Sequence, residues 1–297
     1  MTAQSEQCPV CSKQGHPHFY TKDYNRRTSG QTFVYHLCSE CGLLFLMPVP
    51  ANLGSYYPSE YYSLPKSLVE LDAMAKPEQF KIEMVRRFAT GGHLVDIGAN
   101  TGSFVHLAKM SGFRVDAIEM DGNCCKFLSD VVGVNAICAA DVVKGLSQVD
   151  CCDVITLWHV LEHLPKWLHV LKAAGTKLRT KGILLIAAPN PDAFQYRVFG
   201  SHWAHIDAPR HLQLIPLSLL IREMNMLNLQ QVMLTTTDKG SLGYNEFGWG
   251  MSLKTYFTFK PFRFGAYLVG RVIAGLLIPL ERADVFGSSY TIVFQKN

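Results

Sequence analysis

The chain changes its hydrophobic rhythm as it runs. Between residues 90 and 237, short apolar runs alternate with segments of helical period. The runs at 93–98, 114–120, 134–139, 153–158 and 183–188 predict strands, and 102–111, 123–131, 167–178 and 216–227 predict helices. Such alternation implies a parallel sheet covered on both faces, a doubly wound α/β fold. Upstream, 31–37 and 42–46 read as strands, the second ended by Pro48 and Pro50. Residues 77–89 set Phe80, Ile82, Val85 and Phe88 among Lys81, Glu83, Arg86 and Arg87, an amphipathic helix. Downstream, 229–235 and 289–295 predict a closing pair of strands. The stretch between them is long for a structureless loop and should hold its own helix, at 265–280.

The strand at 93–98 breaks at a glycine turn, Gly98-Ala99-Asn100-Thr101-Gly102, before a helix begins. That junction lets backbone approach a ligand and aims a helix N-terminus at it. Many nucleotide-type folds share this turn, so the acids around it have to discriminate. It is not GxGxxG, so close approach to a pyrophosphate is not clearly provided. Asp96, just before it, suits an ammonium group better than a diphosphate. Glu119, about twenty residues past the turn, sits where an acid accepts from a ribose diol. Asp141 closes the third strand, where a carboxylate can accept from an adenine amine.

The amino-terminal segment carries different chemistry. Cys8-Pro9-Val10-Cys11 and Cys38-Ser39-Glu40-Cys41 are two CxxC knuckles, the spacing at which four thiolates complete a tetrahedral metal site. A structural Zn2+ on Cys8, Cys11, Cys38 and Cys41 is expected, with His16, His18 and His36 on the surface. Four tyrosines then crowd residues 56–62, either as packing or as a lid over a ligand.

Composition narrows the setting. The formal net charge is +4 with no long basic block, so nothing demands nucleic acid. Nine cysteines, several in CxxC or adjacent pairs, fit a reducing compartment, and no secretory signal is apparent, so a cytoplasmic protein is expected. The apolar stretch 264–280 falls short of the ~20 residues a spanning helix needs and carries Arg271.

The motifs VDIGANTG (95–102), IE (118–119), AD (140–141), LWHVLEHLP (157–165) and GILLIAAPN (182–190) together resemble a class I S-adenosylmethionine-dependent methyltransferase. The amino-terminal knuckles, the tyrosine loop and WAHIDAPRHL (203–212) are similar to zinc-ribbon members of the ubiquinone-biosynthesis and sugar C-methyltransferase types. The resemblance implies a Rossmann-like seven-stranded sheet with an antiparallel last strand. It divides the chain into a zinc ribbon and tyrosine-rich lid at 1–75 and a methyltransferase domain at 76–297, with an insertion at 236–287. It implies that Asp96, Gly98, Ala99, Asn100 and Gly102 surround the methionine part of S-adenosylmethionine. Glu119 would hold the ribose, with Met120 and Asp121 beside the adenosine and Asp141 on the adenine. His159 and Tyr62 complete the cofactor set. In the ubiquinone type a divalent metal is held by acidic residues at a position where this chain has His159.

The acceptor side is read from the flanks. A neutral histidine is the natural base for a hydroxyl or carbon acceptor. His163, four residues after His159, and His205 and His211 in the long connection after the fifth strand are the candidates. Arg210 could grip a carboxylate or phosphate. A small-molecule acceptor is expected: a sugar, nucleotide sugar, quinone-like compound or other metabolite. An RNA methyltransferase and a non-catalytic zinc-ribbon interaction protein are the competing classes. Residues 240–250 could line the acceptor pocket. Residues 254–280, where Lys254, Lys260 and Arg263 interleave with aromatics ahead of the apolar helix, either pack on the core or a partner subunit or make peripheral membrane contact.

Overall fold

Two sheets organise the computed structural model, which describes residues 6–57, 63–283 and 285–297. The first begins with β1 (Glu6–Gln7), β2 (Gln14–Lys22), β3 (Thr32–Cys38) and β4 (Leu44–Leu46), paired antiparallel in that order. β3 was expected; β2 was not, because Pro17 and the polar residues Gln14, His16, His18, Thr21 and Lys22 mask its alternation. His36 is buried and stacks on Phe45, not surface-exposed as expected, because β3 is covered on both faces, Phe33 and Tyr35 turning to one and His36 and Cys38 to the other.

Two helices lead into the second sheet. α1 (Leu68–Ala75) is capped by Ser67, whose hydroxyl accepts from the Glu70 N–H. The helix expected at 77–89 is shorter, α2 (Gln79–Val85), preceded by a 3-10 turn holding Pro77. Leu71 and Ala75 of α1 join Ile82 and Val85 of α2 in one apolar cluster against the large sheet.

The large sheet starts at β5 (Gly92–Ile97), followed by α3 (Ser103–Met110), β6 (Phe113–Glu119), α4 (Gly122–Phe127), β7 (Asn135–Cys138), α5 (Val142–Ser147), β8 (Cys152–Trp158), α6 (Trp167–Lys177) and β9 (Leu178–Pro189). Successive side chains of β5 alternate between two cores. Val95 and Ile97 join Ile155, Leu157 and Ile186 on one face, and Leu94 joins Val154, Ile183 and Leu185 on the other. Burial on both faces explains why these strands read as unbroken apolar runs.

After β9 come α7 (Phe194–Phe199), β10 (Gln213–Leu214), α8 (Leu217–Asn225), β11 (Leu229–Thr235), α9 (Lys239–Thr255), α10 (Lys260–Arg282) and β12 (Ser289–Lys296). The sheet order is β11-β12-β9-β8-β5-β6-β7; β5 to β9 run parallel, and β12 is antiparallel to both neighbours. The order reverses beside β5, so a crevice opens at the carboxyl ends of β5 and β8. The insertion holds two helices where one was expected, and residues 240–250 are helical despite their glycines. The apolar helix runs from Lys260, not Gly265, and its 23 residues are long and apolar enough to cross a membrane by length and composition, which corrects the shorter estimate.

β10 does not belong to the large sheet. It pairs antiparallel with β4, so a strand from the far side of the chain completes the small sheet. One ion cluster locks this junction. Arg210, fully buried, donates from Nη2 to Asp23 Oδ1 at 2.6 Å and to Asp207 Oδ1 at 2.8 Å. Its Nε donates to Asp207 Oδ2 at 2.8 Å, and its Nη1 to Asp23 Oδ2 at 3.3 Å and to the Tyr56 carbonyl at 3.2 Å. Burial would raise both carboxyls, but the guanidinium outweighs it and holds them below the usual range. Arg210 is therefore committed to the fold and does not reach a substrate anion, contrary to the sequence expectation. Arg210→Ala strands two buried carboxylates and should cost about 3–5 kcal/mol. Lys126→Ala, which breaks an exposed pair with Asp130, should cost under ~1 kcal/mol. Urea unfolding of the two variants checks the difference.

Candidate active site

The glycine turn sits at the carboxyl end of β5. Gly98 has φ +76° and donates from its N–H to the Ile118 carbonyl at 2.8 Å. A Cβ there would lie 2.4 Å from Val160 Cγ2, so both conformation and space require glycine. Asn100 takes φ +52°, which an asparagine tolerates, and Gly102 at φ +87° precedes α3.

Three acids surround the turn. Asp96 is buried on β5 and its Oδ1 accepts from Thr156 Oγ1 at 2.6 Å. Burial pushes this carboxyl up to about 7, against the pull of Thr156 and of Lys81 nearby. A cation is what this buried group lacks. Glu119, at the end of β6, accepts from the Asn100 N–H at 2.8 Å and from the Met120 and Asp121 N–H groups at 2.7 and 3.0 Å. It ties the glycine turn to the turn after β6. Asp121 and Asp141 each cap a helix, accepting from Asn123 and Cys124 and from Val143 and Lys144 respectively. The nominated cofactor residues Asp96, Gly98, Ala99, Asn100, Gly102, Glu119, Met120, Asp121 and Asp141 thus follow three adjacent strand ends. Tyr62 lies outside the described residues.

A cavity of about 950 Å³ runs from Asn100 and Trp158 at the strand ends to His211, beneath Tyr244 and Phe247 of α9. Asn25 and Arg26, between β2 and β3, also line it, so the small sheet contributes one wall. A shallower hollow of about 470 Å³ lies at the opposite strand ends, beside Arg114 and Asp116, and holds none of the nominated residues.

His159, His163, His205 and His211 all line the larger cavity. His159 and His163 do not share a helix face as their spacing suggested, because 161–163 is a 3-10 turn and His159 has φ +56°. His159 stacks on Tyr244 with centroids 3.9 Å apart, while His163 meets His211 edge to face. Backbone carbonyls fix the tautomers, since a carbonyl only accepts. His211 donates from Nδ1 to the His205 carbonyl at 2.8 Å, and His163 from Nδ1 to the Arg210 carbonyl at 2.9 Å. Both rings are left with a bare Nε2. His205 donates from Nε2 to the Tyr244 carbonyl at 3.0 Å, which joins the connecting loop to α9. Burial pulls His205 down to about 3 and, with His163 adding to it, His211 down to about 4.

Glu162, which the sequence groups with His159 and His163 but gives no role of its own, is the buried acid of the site. Neither of its carboxylate oxygens has a hydrogen-bond partner among the described residues, and His159 Nδ1 and His211 Nε2 lie 3.7 and 3.9 Å away. Burial works to raise it, but the surrounding imidazoles outweigh burial and hold it at about 2. Its adjacency to His163 was the available signal. Glu162, His163 and His211 offer one donor atom each, all within 4.8 Å of one another, a spacing able to hold a cation. Tyr57 Oη lies 3.1 Å from His163 Nδ1, which brings the described part of the tyrosine loop to the edge of this group. A second cluster, the sulfurs of Cys8, Cys11, Cys38 and Cys41, meets the same 4.8 Å criterion at the base of the small sheet.

Residues 73–234 match the methyltransferase domain family, over half of the chain, and the chain belongs to that family. It is a class I S-adenosylmethionine-dependent methyltransferase. No curated protein matches by sequence. Among solved structures it is similar to an S-adenosylmethionine-dependent methyltransferase from Archaeoglobus fulgidus, at 17% identity and TM-score 0.51, covering 75% of this chain and 94% of that one. A putative sarcosine dimethylglycine methyltransferase from Galdieria sulphuraria gives 14% identity and TM-score 0.50, covering 75% and 86%. A geranyl diphosphate methyltransferase gives 15% and 0.50, covering 75% and 77%. At these identities the likeness is one of fold.

Glu119→Ala removes the acid joining two cofactor turns. Charge-assisted hydrogen bonds of this kind contribute about 1.5–3 kcal/mol, so cofactor affinity should fall roughly 10- to 150-fold. Titration calorimetry with S-adenosylmethionine reads the change.

Proposed function

We propose that the chain methylates a small molecule whose nucleophile must lose a proton, a hydroxyl or an acidic carbon, with His211 as the base. The observation that carries this reading is the single cavity joining the glycine turn to His211 Nε2. The bound cofactor supplies the electrophilic methyl group. Asp96 would hold its ammonium, which answers the missing cation at that buried carboxyl. Glu119 would face the ribose hydroxyls and Asp141 the adenine. His211 takes the acceptor's proton on Nε2 while its Nδ1–H stays fixed on the His205 carbonyl. The Glu162 carboxylate, 3.9 Å from Nε2, favours the imidazolium that results. His163 presents a second bare Nε2, and His205 positions His211 and α9. Trp158, Tyr244 and Phe247 give the acceptor apolar walls, and Arg26 and Lys81 bring cations to them. Sugars, nucleotide sugars and quinone-like phenols all fit this chemistry.

The partnerless carboxylate oxygens of Glu162 favour a second reading, in which a divalent cation sits on Glu162, His163 and His211 and activates the acceptor oxygen. Both imidazoles hold their Nδ1–H on backbone carbonyls, the usual support of a metal-bound histidine. Turnover that survives chelation leaves the base to His211. Turnover lost on chelation and restored by a divalent ion gives these residues to the metal.

In the first reading His211→Ala should lower kcat about 10²- to 10⁴-fold with cofactor affinity unchanged. Stability should fall as pH drops from about 6.5 to about 4. There the unfolded chain protonates histidines that His205 and His211 keep neutral, so the unfolded state binds more protons. Urea unfolding across that range checks the slope, and His211→Gln should flatten part of it.

For the cysteine cluster we propose a structural Zn2+. Four sulfurs mutually within 4.8 Å, in two turns whose backbone N–H groups close back on Cys8 and Cys38, leave no open coordination position. Metal analysis should find zinc in equimolar amount. Cys38→Ser should lose it and lower the thermal midpoint, because binding stabilises only the folded sheet.

A further inference from the structure

α10 is turned inside out. Its buried stripe is small: Ala266, Gly270 and Ala274, spaced four apart, face α9. The approach is tight, since a Cβ on Gly270 would lie 2.6 Å from the Trp249 carbonyl oxygen and 2.7 Å from the Gly250 Cα. Tyr267, Ile273 and Leu277 pack partly inward beside this stripe, and the other large apolar side chains point outward. Phe262, Val272 and Leu276 are 64%, 65% and 75% exposed, with Phe264, Leu268 and Val269 beside them. Tyr256, Phe257 and Phe259 continue the face upstream. Only 17% of the most apolar 18-residue window of this helix, mean hydropathy 1.5, is buried. A helix facing water has the opposite arrangement.

Cations outnumber acids along this segment. Between residues 254 and 283 the cations are Lys254, Lys260, Arg263, Arg271 and Arg282, and the sole acid is Glu281. Glu281 is buried, where its Oε1 accepts from Trp249 Nε1 at 2.9 Å and Gln195 Nε2 at 2.7 Å. Arg271, midway along the helix, pairs with Glu246 of α9. The remaining cations lie toward the two ends of the apolar face, with flexible stems that can reach headgroups.

We infer that the outer face of α10, with the aromatic segment before it, docks the protein on an anionic lipid bilayer. The helix lies along the membrane plane. α9 is fixed to the catalytic body, since Ser252 Oγ accepts from the Ala204 N–H and Asn245 Oδ1 from the Ser288 N–H, and α10 is packed along it. Such a helix cannot turn to cross a bilayer without leaving its partner. Embedded aromatic and aliphatic side chains supply the apolar contact, and the cations supply attraction to acidic headgroups. The inference does not depend on which residue is the base. The opposite face of α9 lines the cavity through Tyr244 and Phe247, so docking brings the cavity within one helix diameter of lipid.

The full-length protein is mixed with vesicles of phosphatidylcholine alone or with added phosphatidylserine and sedimented. Binding to the anionic vesicles is expected, at least about tenfold stronger than to neutral ones and weakened by salt. The pair Val272→Ser and Leu276→Ser should abolish it, and Lys260→Glu with Arg263→Glu should weaken it about tenfold or more. S-adenosylmethionine binding measured on each variant confirms folding and tests the cofactor reading separately. Absence of binding to anionic vesicles by folded protein overturns the inference. So does a dimer, seen by light scattering, that is broken by the serine pair while vesicle binding is absent; that result gives the face to a second copy.

Discussion

A single buried guanidinium sets the relation between the two halves of this protein. Arg210 reaches Asp23 in the small sheet, Asp207 three residues before it and the Tyr56 carbonyl, with no exposure to water. Neither carboxylate has an equivalent cation elsewhere, so the halves cannot separate without stranding charge. The same residue sends its carbonyl to His163, and the next residue is His211. Structural junction and chemical centre therefore share one stretch of backbone. Movement of the small sheet would shift both imidazoles.

This coupling explains the cavity's composition. The nominated cofactor residues from Asp96 to Asp141 lie at the ends of β5, β6 and β7. The acceptor side has no such common origin: the β2–β3 turn, the 3-10 turn after β8, the connection before β10 and helix α9 each contribute. Charge within it is arranged with equal economy. Asp96 is buried with too little cation near it, and Glu162 is buried among imidazoles with no hydrogen-bond donor. Glu162 lines the hollow with both carboxylate oxygens unmet by a donor among the described residues, a state that a bound ligand would complete.

The central fold was legible because its signals are local. Apolar runs mark buried parallel strands, and Gly98 and Gly102 mark the turn by conformations other side chains resist. The acids Asp96, Glu119 and Asp141 were nominated by spacing, and they do lie at successive strand ends. Arg210 was misread because its type suits an anionic substrate as well as an internal ion pair, and only tertiary structure supplies Asp23 from 187 residues away. Glu162 was grouped with His159 and His163 but given no role, because a carboxylate beside a histidine in sequence carries no sign of burial. Helix α9 was hidden by its glycines. Gly248 and Gly250 sit where His205, Gln195 and Tyr267 press on the helix, so packing, not propensity, chose those residues.

The placement of the last strand has a further consequence. β11 and β12 are hydrogen-bonded neighbours, with Thr235 opposite Thr291, so the chain leaves and re-enters the sheet at adjacent positions. Whatever lies between them closes as a loop on an already formed ladder, and the entropy of that closure grows only slowly with length. The α9–α10 unit is thus a graft on a fixed stem. Exchanging it would alter what the enzyme encounters and where, while the cradle at β5 to β7 carried on unchanged. That one segment can therefore vary in length and sequence without disturbing the pairing of the seven-stranded sheet.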